Sequence, residues 1–242
     1  MSDLDLAWHF LADDRRMYYP PRTLVEAGKT YTAVGRLRLC RNGMHASVRA
    51  FDALAYALGD VVCRVRMGGV RLEGKEKVCA RARTVLWLAD AAPVLHEFAC
   101  QVAEQALARA VAAGYHPDPR STAVIAAKRA WLRHELDAAA LEAAQEEAVD
   151  AFTSAHWAEV GEAALVAAWS AGRHSGSDAA WSAAHAAGRA AKQASAWAET
   201  NALLERLLLA LAPDATSGRA PAATPDTAAG ATTYQQQGVT DA

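Results

Sequence analysis

Hydrophobic and polar residues repeat with two different periods along this chain, and the period changes near residue 90. LAWHFL (6–11) is a first strand candidate, and RLRLC (36–40), DVVCRVRM (60–67) and the start of KVCARARTVLWLA (77–89) follow a period of two, which predicts half-buried strands. In DVVCRVRM, Val61, Cys63, Val65 and Met67 take one side and Arg64 and Arg66 the other. KVCARARTVLWLA ends as a continuous apolar run, the pattern of a more deeply buried strand. Between the first two, DDRRMYYPPRTLVEAGKTY reads as turns, punctuated by Pro20, Pro21 and Gly28. Gly68 and Gly69 are expected to close the third strand.

One helix is expected among these strands. Val48, Phe51, Leu54, Ala55 and Leu58 share a face at three-and-four spacing. Ser47 suits the N-cap, and Gly59 the left-handed position past the end. Arg49, Asp52 and Tyr56 lie on another face. The fold class this predicts is α+β. Residues 1–90 make a small, mostly antiparallel sheet with one packed helix, and an all-α, Ala/Trp-rich region follows over 91–212.

That second region predicts helices at about 91–113, 122–135, 137–171 and 178–211. Asp90, Ser121 and Asp137 are candidate caps, and Pro93 fits a first turn. GYHPDPR (114–120) and GRHSGSD (172–178) read as breaks. Val94, Phe98, Val102 and Leu107 supply one buried side, and Leu204, Leu207, Leu208 and Leu211 a later stripe. Residues 213–242 are rich in Ala, Thr, Pro and Gly without periodicity, which predicts a disordered tail.

A short repeat lies within the helical region. AAWSAGRHSGSD is followed directly by AAWSAAHAAGRA, so Trp157, Trp169 and Trp181 are 12 residues apart. Twelve residues are about 3.3 helical turns, so one straight helix cannot align the three rings. A turn at 172–177 resets the phase and lets Trp169 and Trp181 anchor a hairpin of close-packed alanine helices. The alternative use of these rings is a self-association or docking surface.

Composition narrows the class. The hydrophobic share of the 242 residues is 52%, enough for a core, but much of it after residue 120 is alanine, which buries little area per residue. The net charge of −2 hides a split. Residues 1–90 carry 15 Lys and Arg against 10 Asp and Glu, and the remainder carries 10 against 17. Four cysteines without a Cys-x-x-Cys pair indicate no disulfide framework. The chain has no basic, apolar leader and no apolar run of about 18 residues, so no membrane contact is expected and a cytoplasmic location is.

Two constellations carry possible chemistry. His45 precedes a helix start, where converging amides favour a neutral imidazole or a bound anion. The alternative is that Gly43 makes a turn and His45 bonds within it. With Arg49, Asp52 and Tyr56, His45 forms the candidate pocket set. The second constellation is Arg-x-Arg, at Arg36/Arg38, Arg64/Arg66 and Arg81/Arg83. Members of a pair two apart on a strand point the same way, so neighbouring strands would gather six guanidinium groups on one anion-binding face. No complete catalytic set, metal site or cofactor motif is expected: Cys63 sits on the apolar side of its strand and reads as core.

WHFLADDRRMYY, EAGKTYT, LCRNGMHASVRAFDALAYALGDVVCRVRMGG and KEKVCARARTVLW resemble a family of uncharacterised phage- and prophage-encoded proteins. The Cys-x-x-Gly-x-His-Ala core followed by Asp-Ala-Leu-x-Tyr is its most specific part. The resemblance implies a phage accessory protein in a bacterial host cytoplasm and carries no established activity. GMHASVRAFDALAY followed by DVVCRVRM is also similar, in order and length, to ADP-ribosyltransferase-type folds. That likeness implies His9, Tyr56 and Glu73 or Glu76 as residues to test.

The expected function is therefore a non-enzymatic binding or assembly module. Its partner is an unidentified protein or a second copy engaged through the helices. The alternatives are an ADP-ribosyltransferase-like or other nucleotide-binding enzyme, and nucleic-acid binding through the arginine face.

Overall fold

The computed structural model describes residues 5–154, 171, 173, 175–191, 194–213 and 232–234. The chain forms two compact units. One comprises the residues up to Asp90 with the chain from Leu208 on; the other is Ala91–Leu207.

The first unit is built on a sheet. Its elements are β1 (Leu6–Leu11), β2 (Thr30–Ala33), β3 (Met44–Ala46), α1 (Ala50–Leu54), β4 (Val61–Glu73) and β5 (Val78–Asp90). The strand order is β1-β4-β5-β2, all antiparallel. The 13 residues of β5 serve two neighbours along one edge: β3 pairs at Val78–Ala80 and β2 at Ala82–Thr84. A segment at Thr232–Tyr234 (β6) lies parallel to β2.

One core gathers Ala7 and Leu11 of β1, Val61, Cys63, Val65 and Met67 of β4, and Cys79 and Val85 of β5. The period-two reading of β4 placed these four β4 residues together. Met17, Val25 and Leu37 enter the same core from loops. Burying each large aliphatic side chain contributes about 1.5–3 kcal/mol. On the other face of β4 the Arg64 guanidinium lies 4.3 Å over the Trp8 ring, and Trp87 meets Trp8 edge-on at 6.0 Å.

Several expectations are corrected. RLRLC is a loop, because positive φ at Gly35 (77°), Cys40 (63°) and Gly43 (138°) turns the chain on both sides of it. The Asn42 side-chain amide donates to the Val34 and Arg36 carbonyls at 2.8 and 2.9 Å, replacing ladder bonds. The helix at 47–58 shrinks to five residues. Ser47 does not cap it, because its amide and carbonyl pair with Trp8 at 2.9 and 2.7 Å. Val48 and Leu58, expected in the core, are exposed. Gly59 is not in the left-handed region; an added Cβ would lie 2.5 Å from Asp13 Oδ1, so close approach of that loop explains it. Gly68 and Gly69 do not end β4 but accommodate a register shift, after which pairing resumes to Glu73.

The second unit is helical: α2 (Ala92–Ala112), α3 (Pro119–Leu132), α4 (Ala138–Ser154), α5 (Gly176–Ala191) and most of α6 (Ala194–Leu209). Asp118, not Ser121, caps α3. Its carboxylate accepts the Arg120 amide at 2.9 Å and Pro119 takes the first helical position. Asp137 accepts the Ala140 amide at 2.8 Å and so opens α4. α2 packs against α3 and α5, and α3 against α4. Fully buried alanines, such as Ala99, Ala103, Ala180 and Ala184, let these helices approach closely. The region read as one helix at 178–211 is two segments, α5 and α6. Trp157 and Trp169 lie outside the described residues, as does nearly all of 213–242. Trp181 is partly exposed and stacks on His185 at 4.8 Å.

Candidate functional site

His45 is engaged by its own turn. Its Nε2 accepts the Cys40 amide at 3.1 Å, and the ring also bonds the Gly43 backbone. Nε2 therefore carries no proton and holds a backbone donor where a metal ion would bind. Burial, with Arg83 and Lys77 nearby, pushes the His45 pKa down. Gly43 is required here: an added Cβ would lie 2.2 Å from Cys79 Sγ.

The turn forms one wall of a cleft of about 160 Å³ in the sheet unit. β1 contributes His9 and β5 contributes Arg83. Both stand on the core side, since His9 pairs with Cys63 and Arg83 with Met67. Arg83 is only 4% exposed, and its guanidinium donates to the His45 carbonyl at 2.8 Å. Among the described residues no hydrogen bond engages the His9 ring. Burial first, then Arg83 and His45, holds its pKa well below the usual 6.5, so the ring is neutral with one donor and one acceptor nitrogen. The described lining contains Arg16, Arg83, two imidazoles and no carboxylate.

Tyr18, Tyr19, Tyr56 and Leu58 complete the lining. The Tyr56 hydroxyl donates to Glu76 at 3.2 Å, and Lys77 lies 3.9 Å over its ring. A second groove, about 320 Å³, is lined by Arg49, Asp52, Arg71 and residues 73–78. The candidate set is thus divided. His45 and Tyr56 line the first cleft, whereas Arg49 and Asp52 form an ion pair at 2.7 Å in the second groove. Of the two glutamates, Glu76 reaches Tyr56, while Glu73 pairs with Arg71 at 2.9 Å.

The six arginines do not share a face. Arg36 and Arg38 stand on the exposed loop, Arg64 and Arg66 on the face of β4 shared with Val62 and Trp8, and Arg81 and Arg83 on the opposite side, on β5. Arg81 donates to the Ala33 carbonyl at 2.6 Å, and so serves the sheet's own backbone. The pairing register of β4 with β5 decides this, and spacing within each strand cannot report it. Of the cysteines, Cys63 is fully buried among apolar residues, which raises its thiol to about 12.

Tyr18, Tyr19 and Arg16 were passed over as loop residues. The run RRMYYPPR was the available signal: two adjacent aromatics in a stretch otherwise read as turns have no core to serve. No family model matches the chain, and no curated protein or solved structure matches it.

Proposed function

We propose that the α+β unit is a binding module for a small anionic ligand seated over His9 and Arg83. The observation that carries this is a neutral imidazole, not hydrogen-bonded by any described residue, beside a fixed, buried guanidinium in a lining free of carboxylates. A planar guanidinium suits the oxygens of a carboxylate or phosphate, and the His9 N–H adds a directional donor. The cleft of about 160 Å³ has room for such a group. The placement of this module in a phage accessory protein rests on the sequence resemblance alone.

Inorganic phosphate and ribose 5-phosphate at millimolar concentration are expected to raise the melting temperature. His9→Ala and Arg83→Lys should each weaken binding roughly tenfold, the loss of one charge-assisted hydrogen bond. Absence of any thermal shift, or wild-type affinity in both variants, rejects the reading.

A second reading is favoured by the Tyr56–Glu76 bond, since Tyr56 shares the cleft with His9 and these are residues the transferase likeness singles out. It expects nicotinamide release from NAD, lost in Glu76→Gln. No turnover at high enzyme concentration excludes it and leaves the binding reading intact.

A further inference from the structure

We infer that the ligand of this cleft carries a flat ring beside its anionic group, and that Tyr18 and Tyr19 supply the stacking surface. The inference rests on the anion-binding reading and adds the other half of the ligand.

Four large apolar side chains stand exposed around this one cleft: Tyr18 (64%), Leu58 (54%), Tyr56 (47%) and Tyr19 (39%). Scattered exposed apolar residues need no explanation, but a contiguous group at the mouth of a cleft marks a binding surface. Three of the four are aromatic. Their broad flat faces match a ring better than they match an aliphatic chain.

The tyrosines are also held in place. They stand at the tip of a loop closed by Met17 N–Thr23 O at 3.0 Å and Val25 N–Arg15 O at 2.8 Å. The Arg22 amide bonds the Tyr19 carbonyl at 3.0 Å, and the Arg16 guanidinium bonds the Arg22 carbonyl at 3.1 Å. An ion pair joins Arg22 to Asp14. Tyr18 and Tyr19 meet edge-to-face, with centroids 4.8 Å apart and planes at 84°. A loop fixed this way costs little ordering entropy when a ligand arrives, which makes exposed tyrosines effective contacts. Nothing in this arrangement buries Tyr18, so folding alone does not account for it.

The same cleft is lined by His9 and Arg83 and by the exposed tyrosines, so a ligand whose anionic group meets the first two presents its remainder to Tyr18 and Tyr19. Anion within and ring without is the chemistry of a phosphorylated ring compound, of which a nucleoside monophosphate is the simplest probe.

Calorimetry on the full chain separates the parts, using adenosine monophosphate, ribose 5-phosphate and inorganic phosphate. Stacking one base on an aromatic side chain should make the nucleotide bind roughly tenfold or more tighter than ribose 5-phosphate. Tyr18→Ala/Tyr19→Ala should erase that difference, while Tyr18→Phe/Tyr19→Phe should restore it. Equal binding of nucleotide and ribose 5-phosphate to the wild-type chain overturns the ring inference alone. So does a preference that survives the double alanine variant. No binding of any of the three probes overturns this inference and the anion-binding reading together.

Discussion

The sheet unit and the helical unit bury their surfaces with different residues. In the sheet unit the largest buried side chains include Trp8, Phe10 and Tyr31, and strands distant in sequence must register to enclose them. In the helical unit many buried alanines surround a few large apolar residues such as Phe98, Leu95 and Ile125, and a few long polar side chains fix the helices. Lys128 is fully buried, donates to the Arg173 carbonyl and lies 4.0 Å over the Trp131 ring. Arg129 of α3 bridges Glu97 and Glu104 of α2. The sheet unit thus places irregular loops over a rigid floor, and its cleft forms there. The helical unit gains precision from polar anchors, because alanine offers little shape to interlock.

The largest test of this contrast compares two glycines. Gly43→Ala puts a Cβ 2.2 Å from Cys79 Sγ at a φ of 138°, inside a fixed core, and should cost about 3 kcal/mol in urea unfolding. Gly188→Ala in α5 also meets a neighbour, 2.5 Å from the Trp197 ring. There the gain of about 1 kcal/mol in helix propensity offsets the clash, and the half-buried ring can shift, so the net change should stay within about 1 kcal/mol. Equal losses at the two sites would show that the helical unit is as tightly interlocked as the sheet.

Next in size is Lys128→Ala. It removes a buried charge-assisted bond and its cation–π contact, and should destabilise the helical unit by about 2 kcal/mol. A loss below about 0.5 kcal/mol would mean that alanine packing alone fixes these helices.

The smallest effect is the pH dependence conferred by His9. Its folded pKa is depressed, so below the unfolded value of 6.5 the unfolded chain binds the extra proton. The stability contribution is complete above that value and falls as acid is added. Linkage gives a loss of about 1 kcal/mol between pH 6.5 and 5.5. Melting curves of wild type and His9→Gln should diverge over that window, the variant being flatter. Parallel curves would place His9 in solvent rather than against Arg83 in the cleft.

Local signals were legible where local interactions decide structure. α2 follows from its apolar spacing and a first-turn proline, and the opening of α4 from Asp137. β4 and β5 follow from alternation over six or more residues, and β1 coincides with the strand candidate LAWHFL. β2 and β3 were not legible. They have four and three residues and exist only because β5, some 35 to 50 positions later, offers them an edge. RLRLC failed for the converse reason: five alternating residues predict a strand, yet Gly35, Asn42 and Gly43 supply a cheaper loop. At the site, Gly43 as a turn and His45 bonding within it was one of two readings that the sequence left open.

The sequence by itself determined the long strands β4 and β5 and the positions of most helices, because period and caps act within a few residues. It also placed Val61, Cys63, Val65 and Met67 on one buried side of a strand. Only the tertiary structure decided which polar residues share a space. Sheet register turned Arg83 inward beside His9 and left Arg64 over Trp8. A loop pinned by its own hydrogen bonds carried Tyr18 and Tyr19 to the same cleft. Such meetings depend on pairings dozens of residues apart, and the one-dimensional pattern around each residue contains no trace of them.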